Sequence, residues 1–303
     1  MKAVVACGGT GGHAFPGIAV AEAWRRRGHE VTVWGSGRDI ESNVVKSWSG
    51  NFFSTGARQL RVRNLFAIFR SIVRCIKHLK KNPCDVLVAM GSYSSLPPVV
   101  AARRCSIPVV LHEANTVPGK AVEFLSRFAE KVAVSFDETK QYLPNSECVK
   151  TGLPVRSAIS LGKRFSFIPD NAFVIFVTGG SQGAHAVNEI ASKAMEFLKR
   201  ELDSRSGAVR PLYVIHQTGR ADEACVMMQY SKSAIPARVK AFEDNMADAF
   251  ASADFVIARA GASTCFELAA CAKPALLIPL PTSMRNHQHH NLKRYKNSLI
   301  LYF

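Results

Sequence analysis

The sequence predicts an α/β protein of two doubly wound domains, each a parallel sheet covered by helices on both faces. Three observations carry this. Short apolar runs alternate with longer amphipathic stretches, the runs are continuously apolar rather than alternating, and one glycine-rich turn occurs twice, at Gly8-Gly9-Thr10-Gly11-Gly12-His13 and at Gly179-Gly180-Ser181-Gln182-Gly183. A strand covered on both faces has no polar side, so continuous apolar runs indicate parallel strands. No short-period repeat accompanies the two turns, which places the repetition at the level of whole domains.

In chain order, residues 3–7 form the first strand and run through the first glycine turn into a helix. Strands at 31–34, 86–90, 109–111 and 132–134 complete the first half. From 65 to 79 the residues Leu65, Phe66, Phe69, Ile72, Val73, Ile76 and Leu79 recur at helical spacing, with Arg70, Arg74, Lys77, Lys80 and Lys81 elsewhere around the turn. Such a face is ordinarily domain core, yet its aromatics and flanking cations also suit an anionic membrane surface. The first domain is expected over 1–156, an irregular basic linker over 157–169, and the second domain over 170–303. Strands at 173–178, 213–215, 255–258 and 275–278 build that second domain. After Pro279 the chain passes through His287, His289 and His290 into a basic and apolar tail, where a doubly wound domain continues with another helix, so the second domain is expected to be incomplete.

A chain of 303 residues with 48% hydrophobic and 20% charged content can bury two cores, which excludes disorder as the default. Its net charge of +16 asks for an acidic partner: nucleotide phosphates, nucleic acid or anionic lipid. No recognised module and no interleaved aromatic and basic surface supports nucleic acid. The eight cysteines form no C-x-x-C pair and read as reduced core residues of a cytosolic protein. The apolar start is too short for a secretory signal, and no stretch reaches the roughly 18 apolar residues of a spanning helix, so membrane contact is expected to be peripheral.

Glycines at 8, 9, 11 and 12 let the backbone approach a ligand, Thr10 can donate to an oxygen, and the helix that follows presents unpaired N–H groups to an anion. Gly9-Thr10-Gly11 opens like a dinucleotide fingerprint but lacks its final glycine, with Phe15-Pro16-Gly17 following, which argues against a nicotinamide site. His13 reads equally as a general base or as a residue that hydrogen-bonds the loop. Ser181 offers a hydroxyl in the second cradle. A third turn, Arg259-Ala260-Gly261-Ala262-Ser263-Thr264, leads to Glu267, which can accept from ribose hydroxyls or favour the helix dipole. His112-Glu113-Ala114-Asn115 lacks the second histidine of a zinc helix, and His287, His289 and His290 read as a polar loop rather than a metal site. No Asp-x-Asp occurs, which argues against a sugar transferase that holds its diphosphate through a divalent ion.

Together, Gly8 to Pro16, His112-Glu113-Ala114-Asn115, Thr151-Gly152-Leu153-Pro154-Val155-Arg156, Gly179 to Ala184, and Arg259-Ala260-Gly261-Ala262 through Glu267 are ordered and spaced as in the MurG family, which the chain resembles up to Asn291. That family transfers N-acetylglucosamine from UDP-N-acetylglucosamine to undecaprenyl-pyrophosphoryl-muramyl-pentapeptide, lipid I to lipid II, in peptidoglycan synthesis. The resemblance implies a GT-B fold of two Rossmann-like domains, inverting transfer, no metal and no cofactor. It places the acceptor at the Thr10, Gly11 and Gly12 loop, with these residues also near the donor, and makes His13 the base for the acceptor 4-hydroxyl. It assigns the donor phosphates to Ser181, Gln182, Gly183 and Arg156, uracil to the backbone of Phe242 and Glu243, and ribose to Glu267. Ala262, Ser263, Thr264, Gln288 and Asn115 are then expected around the sugar. Leu65, Phe66, Phe69, Ile72 and Ile76 match the family's membrane-docking region, which implies peripheral attachment at the cytoplasmic membrane face and, as further partners, other cell-wall synthesis proteins. Residues 292–303 depart from the family's continuation, so a truncated second domain is expected. A nucleotide-sugar-binding remnant without catalysis, or a glycolipid-forming relative, are the alternative readings.

Overall fold

A computed structural model describes residues 1–9, 11–37, 48–205, 210–294 and 300–302, and these fall into two compact units, Met1–Arg156 and Ser157–Phe303. In the first, β1 (Lys2–Ala6), β2 (Glu30–Gly35), β3 (Asn51–Ser54), β4 (Val86–Ala89), β5 (Val109–Glu113), β6 (Lys131–Val134) and β7 (Cys148–Lys150) form one sheet in the order β3-β2-β1-β4-β5-β6-β7. In the second, β8 (Phe173–Thr178), β9 (Leu212–Gln217), β10 (Ala237–Lys240), β11 (Phe255–Arg259), β12 (Ala275–Ile278) and β13 (Ile300–Tyr302) are ordered β10-β9-β8-β11-β12-β13. Every pairing is parallel. Counted from each unit's own first strand, the two orders are the same, and each reverses direction beside that strand, at β1/β4 and at β8/β11. The two doubly wound units predicted from sequence are therefore present, and the second sheet has one strand fewer among the described residues.

Burial on both sheet faces explains the continuous apolar strands. Along β1, Val4 and Ala6 join one core cluster with Trp34, Leu79, Leu87 and Leu111, while Val5 and the following Cys7 join another with Ile18, Val33 and Val88. In the second unit Ile175 and Val177 pack with Val187, Val214, Tyr230 and Ile257, and Phe176 meets Phe250 edge-on across the opposite face at 5.4 Å between centroids. Successive side chains of one strand thus serve two separate cores.

The stretch expected as a linker is packed onto the second unit. Ile159 and Ile168 are buried, the Arg164 guanidinium donates to the carbonyls of Ser252 (3.0 Å), Pro169 (3.0 Å) and Ala172 (3.2 Å), and the Phe165 N–H donates to Ser252 Oγ at 2.9 Å. Composition marked it as irregular, but its carbonyl and guanidinium pairings arise only in the folded unit. The tail beyond Pro279 contributes helix His287–Arg294 and the edge strand β13, paired with β12.

Each unit buries one histidine in its sheet. His216 in β9 bonds Tyr230 Oη at 2.9 Å and Asn188 Oδ1 at 3.1 Å; Asn188 Nδ2 donates to the Thr218 carbonyl at 2.7 Å and to Asp222 at 2.8 Å. Asn188 therefore presents its oxygen to the ring, so Nε2 carries the proton and Nδ1 accepts from tyrosine. Burial pushes His216 down to about 3 and His112 in β5 down to about 4, from an ordinary 6.5. Both rings are neutral in the fold, whereas the unfolded chain protonates them below pH 6.5. The unfolded state then binds more protons, so stability is complete above pH 6.5 and falls as pH drops towards those folded values. Each unit is expected to lose about 2 kcal/mol between pH 7 and pH 5 from its own histidine, to be read from urea unfolding monitored by circular dichroism. Equal midpoints at the two pH values would exclude neutral burial of these rings.

Candidate active site

In the first unit the glycine turn lies at the β1/β4 reversal and is held by the loop after β4. The Gly8 carbonyl accepts from Ser94 Oγ at 2.6 Å and from Ser92 Oγ at 3.0 Å, and Ser95 Oγ donates to the Gly91 carbonyl. Helix Gly11–Arg26 then returns across β1 so closely that a Cβ at Gly17 would stand 2.2 Å from Cys7 Cβ. Gly17 therefore fills the close-packing role of the fingerprint's last glycine, at a spacing the fingerprint does not allow for. Gly11, Gly12 and His13 open this helix; Thr10 lies outside the described residues.

His13 is half-buried, and its Nδ1 is 2.8 Å from the Met90 carbonyl. A carbonyl only accepts, so in the neutral ring Nδ1 carries the hydrogen and Nε2 holds the lone pair, the tautomer a base requires. Both readings of His13 from the sequence are thus compatible, since one nitrogen fixes the loop and the other has base character. At the end of β5, the buried Glu113 carboxylate accepts from Asn115 N–H (2.8 Å), Asn115 Nδ2 (3.1 Å) and Gly119 N–H (3.0 Å). Burial raises its pKa, and those donors oppose the rise. Glu113 orders the loop that carries Asn115. His112 Nε2 is 3.2 Å from the Gly152 carbonyl, and its buried Nδ1 has no hydrogen-bond partner. The Arg156 guanidinium stacks on Phe15 at 4.2 Å, a cation–π contact that fixes it against the first helix. No group of three or more histidine, cysteine, aspartate or glutamate side chains is placed to hold a metal ion among the described residues.

In the second unit the corresponding reversal is β8/β11. Ser181 and Gln182 are exposed in the turn after β8, and helix His185–Ser204 starts without a side-chain cap. Helix Ala262–Ala270, after β11, follows Gly261 and is also uncapped by a side chain. Helices Leu65–Lys81, Leu96–Arg104, Lys120–Leu125 and Glu223–Lys232 also lack a side-chain cap, whereas Asn245 caps helix Met246–Ser252 by accepting from Asp248 N–H at 3.3 Å, so it is their position that sets the β8 and β11 helices apart. Two helix starts without a side-chain acceptor therefore follow adjacent parallel strands at a reversal point, the arrangement that suits a diphosphate. Ser263, Thr264 and Glu267 are half-buried on the second of these helices, and Ala262 is buried at its start. Gln288 is buried, and its Oε1 accepts from Leu280 N–H at 2.8 Å, tying helix His287–Arg294 to the loop after β12.

Phe242 and Glu243 follow β10. Phe242 is half-buried, but Glu243 turns inward: its carboxylate meets Arg238 Nε at 2.8 Å and Asn245 N–H at 3.1 Å, and its own N–H donates to Gln217 Oε1 at 3.0 Å. Burial raises this carboxyl, yet Arg238 and the Asn245 amide outweigh burial and hold it below the ordinary glutamate value. Sequence reasoning missed Gln217, Arg238, Ser92 and Ser94. A serine pair just after a strand-ending glycine was the available signal for the last two; nothing local marked Gln217 or Arg238.

The expected membrane face is divided. Helix Leu65–Lys81 buries Ile68, Ser71, Cys75 and Leu79, while Leu65 (59% exposed), Phe66 (74%) and Phe69 (63%) face outward with Arg70 and Arg74. Ile72 is half-buried and Ile76 packs against the core, so these two do not belong to the outward group. No described helix is long and apolar enough to cross a membrane.

Residues 3–134 and 174–299, which build the two doubly wound units, match the N-terminal and C-terminal domains of glycosyltransferase family 28, so the chain is a glycosyltransferase. The chain is 36% identical over 318 residues to the UDP-N-acetylglucosamine–N-acetylmuramyl-(pentapeptide) pyrophosphoryl-undecaprenol N-acetylglucosamine transferase of Geotalea uraniireducens, covering 99% of this chain and 85% of that protein. It is 36% identical to the enzyme of the same name from Geobacter metallireducens, covering 96% and 81%. The crystal structure of Acinetobacter baumannii MurG superposes with a TM-score of 0.70 at 29% identity, covering all of this chain and 86% of that one. A UDP-N-acetylglucosamine 2-epimerase, at 14% identity and a TM-score of 0.67, shares the fold. The chain belongs to the MurG family of UDP-N-acetylglucosamine transferases.

The turn after β8 admits a sharp test. Gly183 has φ 76° and a Cβ there would lie 2.0 Å from the Thr218 carbonyl oxygen, whereas Gly180, at φ 90°, faces open space. Gly180→Ala is expected to cost about 1–2 kcal/mol from backbone conformation alone, and Gly183→Ala distinctly more, because strand and turn must separate. Chemical denaturation of the two variants measures the difference, and equal costs would contradict the packing described.

Proposed function

We propose that this chain transfers N-acetylglucosamine from UDP-N-acetylglucosamine to the 4-hydroxyl of undecaprenyl-pyrophosphoryl-N-acetylmuramyl-pentapeptide, with inversion, as a peripheral enzyme at the cytoplasmic membrane face. The pair of helix starts without side-chain caps at β8/β11 carries this reading. Their N–H groups, with the Ser181 hydroxyl and Arg156, would meet the donor diphosphate and stabilise the charge that grows on it as the glycosidic bond breaks. Glu267 would take the ribose hydroxyls as a two-oxygen acceptor. Uracil would lie against the Phe242–Glu243 backbone, most of all its carbonyls and Phe242, since the Glu243 N–H is already given to Gln217. Ala262, Ser263, Thr264, Gln288 and Asn115 would surround the sugar.

His13 would remove the acceptor proton as the 4-hydroxyl oxygen attacks the anomeric carbon from the face opposite UDP. One displacement inverts the centre, the proton goes to Nε2, and the electron pair of the broken bond leaves with UDP. The Met90 carbonyl supports the imidazolium that forms, because it accepts from Nδ1–H throughout. The exposed Leu65, Phe66 and Phe69, flanked by Arg61, Arg63, Arg70 and Arg74, suit an anionic bilayer surface that carries the lipid-linked acceptor.

Calorimetric titration with UDP-N-acetylglucosamine, combined with transfer to a lipid I analogue, tests the reading directly. His13→Ala is expected to lower kcat by about 100-fold or more while the donor dissociation constant holds within about twofold. Full turnover in that variant would remove the base from His13. For the membrane surface, Phe66→Ser with Phe69→Ser is expected to weaken co-sedimentation with phosphatidylglycerol vesicles at least tenfold, with transfer to a water-soluble acceptor analogue unchanged. Undiminished sedimentation would place the membrane contact elsewhere.

A further inference from the structure

Gln217 ends β9 at the C-terminal edge of the second sheet, and its buried side chain joins two loops that follow different strands. Nε2 donates to the Gly180 carbonyl at 2.9 Å and to Thr178 Oγ1 at 3.3 Å, while Oε1 accepts from Glu243 N–H at 3.0 Å. A carbonyl cannot donate and a backbone N–H cannot accept, so the amide has one possible orientation. The loop after β10 is also held from its far side. Arg238 grips the Glu243 carboxylate at 2.8 Å, and its guanidinium lies over Phe165 and Phe167 at 4.9 and 5.2 Å. On the other flank, the turn after β8 touches Gly219, whose Cβ would stand 2.4 Å from the Gln182 carbonyl oxygen. Gln217 is thus the hydrogen-bonded link between a glycine turn and a second turn, each already supported from outside.

We propose that Gln217 is a positioning residue for the donor nucleotide, fixing the separation between the turn that meets the diphosphate and the turn that meets the base. This rests on the donor reading given above. A ligand that engages both turns benefits from a separation set before binding, because less ordering remains to be done. A ligand that engages only one turn does not. Gln217 therefore favours nucleoside diphosphates over the nucleoside alone without touching either.

In the full chain, Gln217→Met keeps the side-chain volume and removes both sets of hydrogen bonds. Calorimetry is expected to give a UDP dissociation constant at least tenfold higher than wild type, with that of uridine within twofold. In transfer assays KM for UDP-N-acetylglucosamine rises by a similar factor while kcat holds within threefold. Ile215→Ala opens a cavity in the same strand without touching either turn; it lowers the melting temperature and leaves the ratio of UDP to uridine affinity at the wild-type value. Should Gln217→Met fail to fold, Gln217→Glu keeps the acceptor for Glu243 and loses the amide donor to Gly180, with the same expected direction. Equal weakening of UDP and uridine, or unchanged UDP affinity in a folded variant, overturns the inference alone. A wild-type chain that binds no UDP overturns the donor reading, and the inference falls with it.

Discussion

In each unit a glycine near the first helix allows an approach that no side chain permits, helix on strand in the first unit and turn on loop in the second. At Gly17 the obstacle would be Cys7 in the strand extension, and at Gly183 it would be the carbonyl of Thr218 in the neighbouring loop. The consequence reaches beyond packing. Each helix begins a short glycine turn beyond the C-terminal end of its strand, so its first N–H groups lie near the point where the strand order reverses. In the second unit the N-cap position is Ala184, which offers those groups no side-chain acceptor.

Around that constraint the second unit places a buried polar layer that is fully paired. His216 is neutral because burial opposes its charge, and each ring nitrogen has a partner whose own bonds dictate the direction of the hydrogen. Asn188 passes that order to the Thr218 carbonyl, and Gln217, one residue earlier, passes it to Gly180 and Glu243. Buried hydrogen bonds are strong when every member is satisfied and costly when one is not, so such a layer admits few alternative loop conformations. The first unit differs. His112 has a partner at Nε2 but none at Nδ1, while nearby Glu113 spends its carboxylate on three loop donors. Rigidity is concentrated on the side read as holding the donor.

How much of this was legible in the sequence depends on whether a signal is local. Central strands were visible because both faces are buried: the run at 86–90 became β4, and that at 255–258 became β11. The short edge strands β3, β7 and β10 were not, since Asn51, Lys150, Arg238 and Lys240 interrupt their apolar character. Helix Leu65–Lys81 was read over 65–79 as one apolar face, which the fold divides between core and surface. Its buried face includes Ser71, whose hydroxyl donates to the Thr55 carbonyl at 2.8 Å, and a polar residue satisfied by a distant carbonyl has no signature in a hydrophobic pattern. The glycine turns and His13 were readable because phosphate-suited loops need particular residues at particular spacings. Gln217 and Arg238 were not, because their roles consist of contacts with loops far away in sequence.

The outward apolar group on that helix follows from the same geometry. Once Ile68, Ser71, Cys75 and Leu79 are committed to the core, Phe66 and Phe69 have no inward position left, since the helical repeat turns them away from that stripe, and Leu65 stays exposed as the first residue of the helix. Fully burying an aromatic or leucine side chain is worth about 1.5–3 kcal/mol, so three of them exposed together leave a substantial free energy unrealised in water. On the proposed reading a bilayer interface would supply the burial, and the surrounding arginines would supply attraction to anionic headgroups that weakens as salt rises. Neither contribution would resemble a spanning helix in strength, and an enzyme with the proposed lipid-linked acceptor would gain from that: attachment would hold it in the plane of its substrate and still allow it to let go.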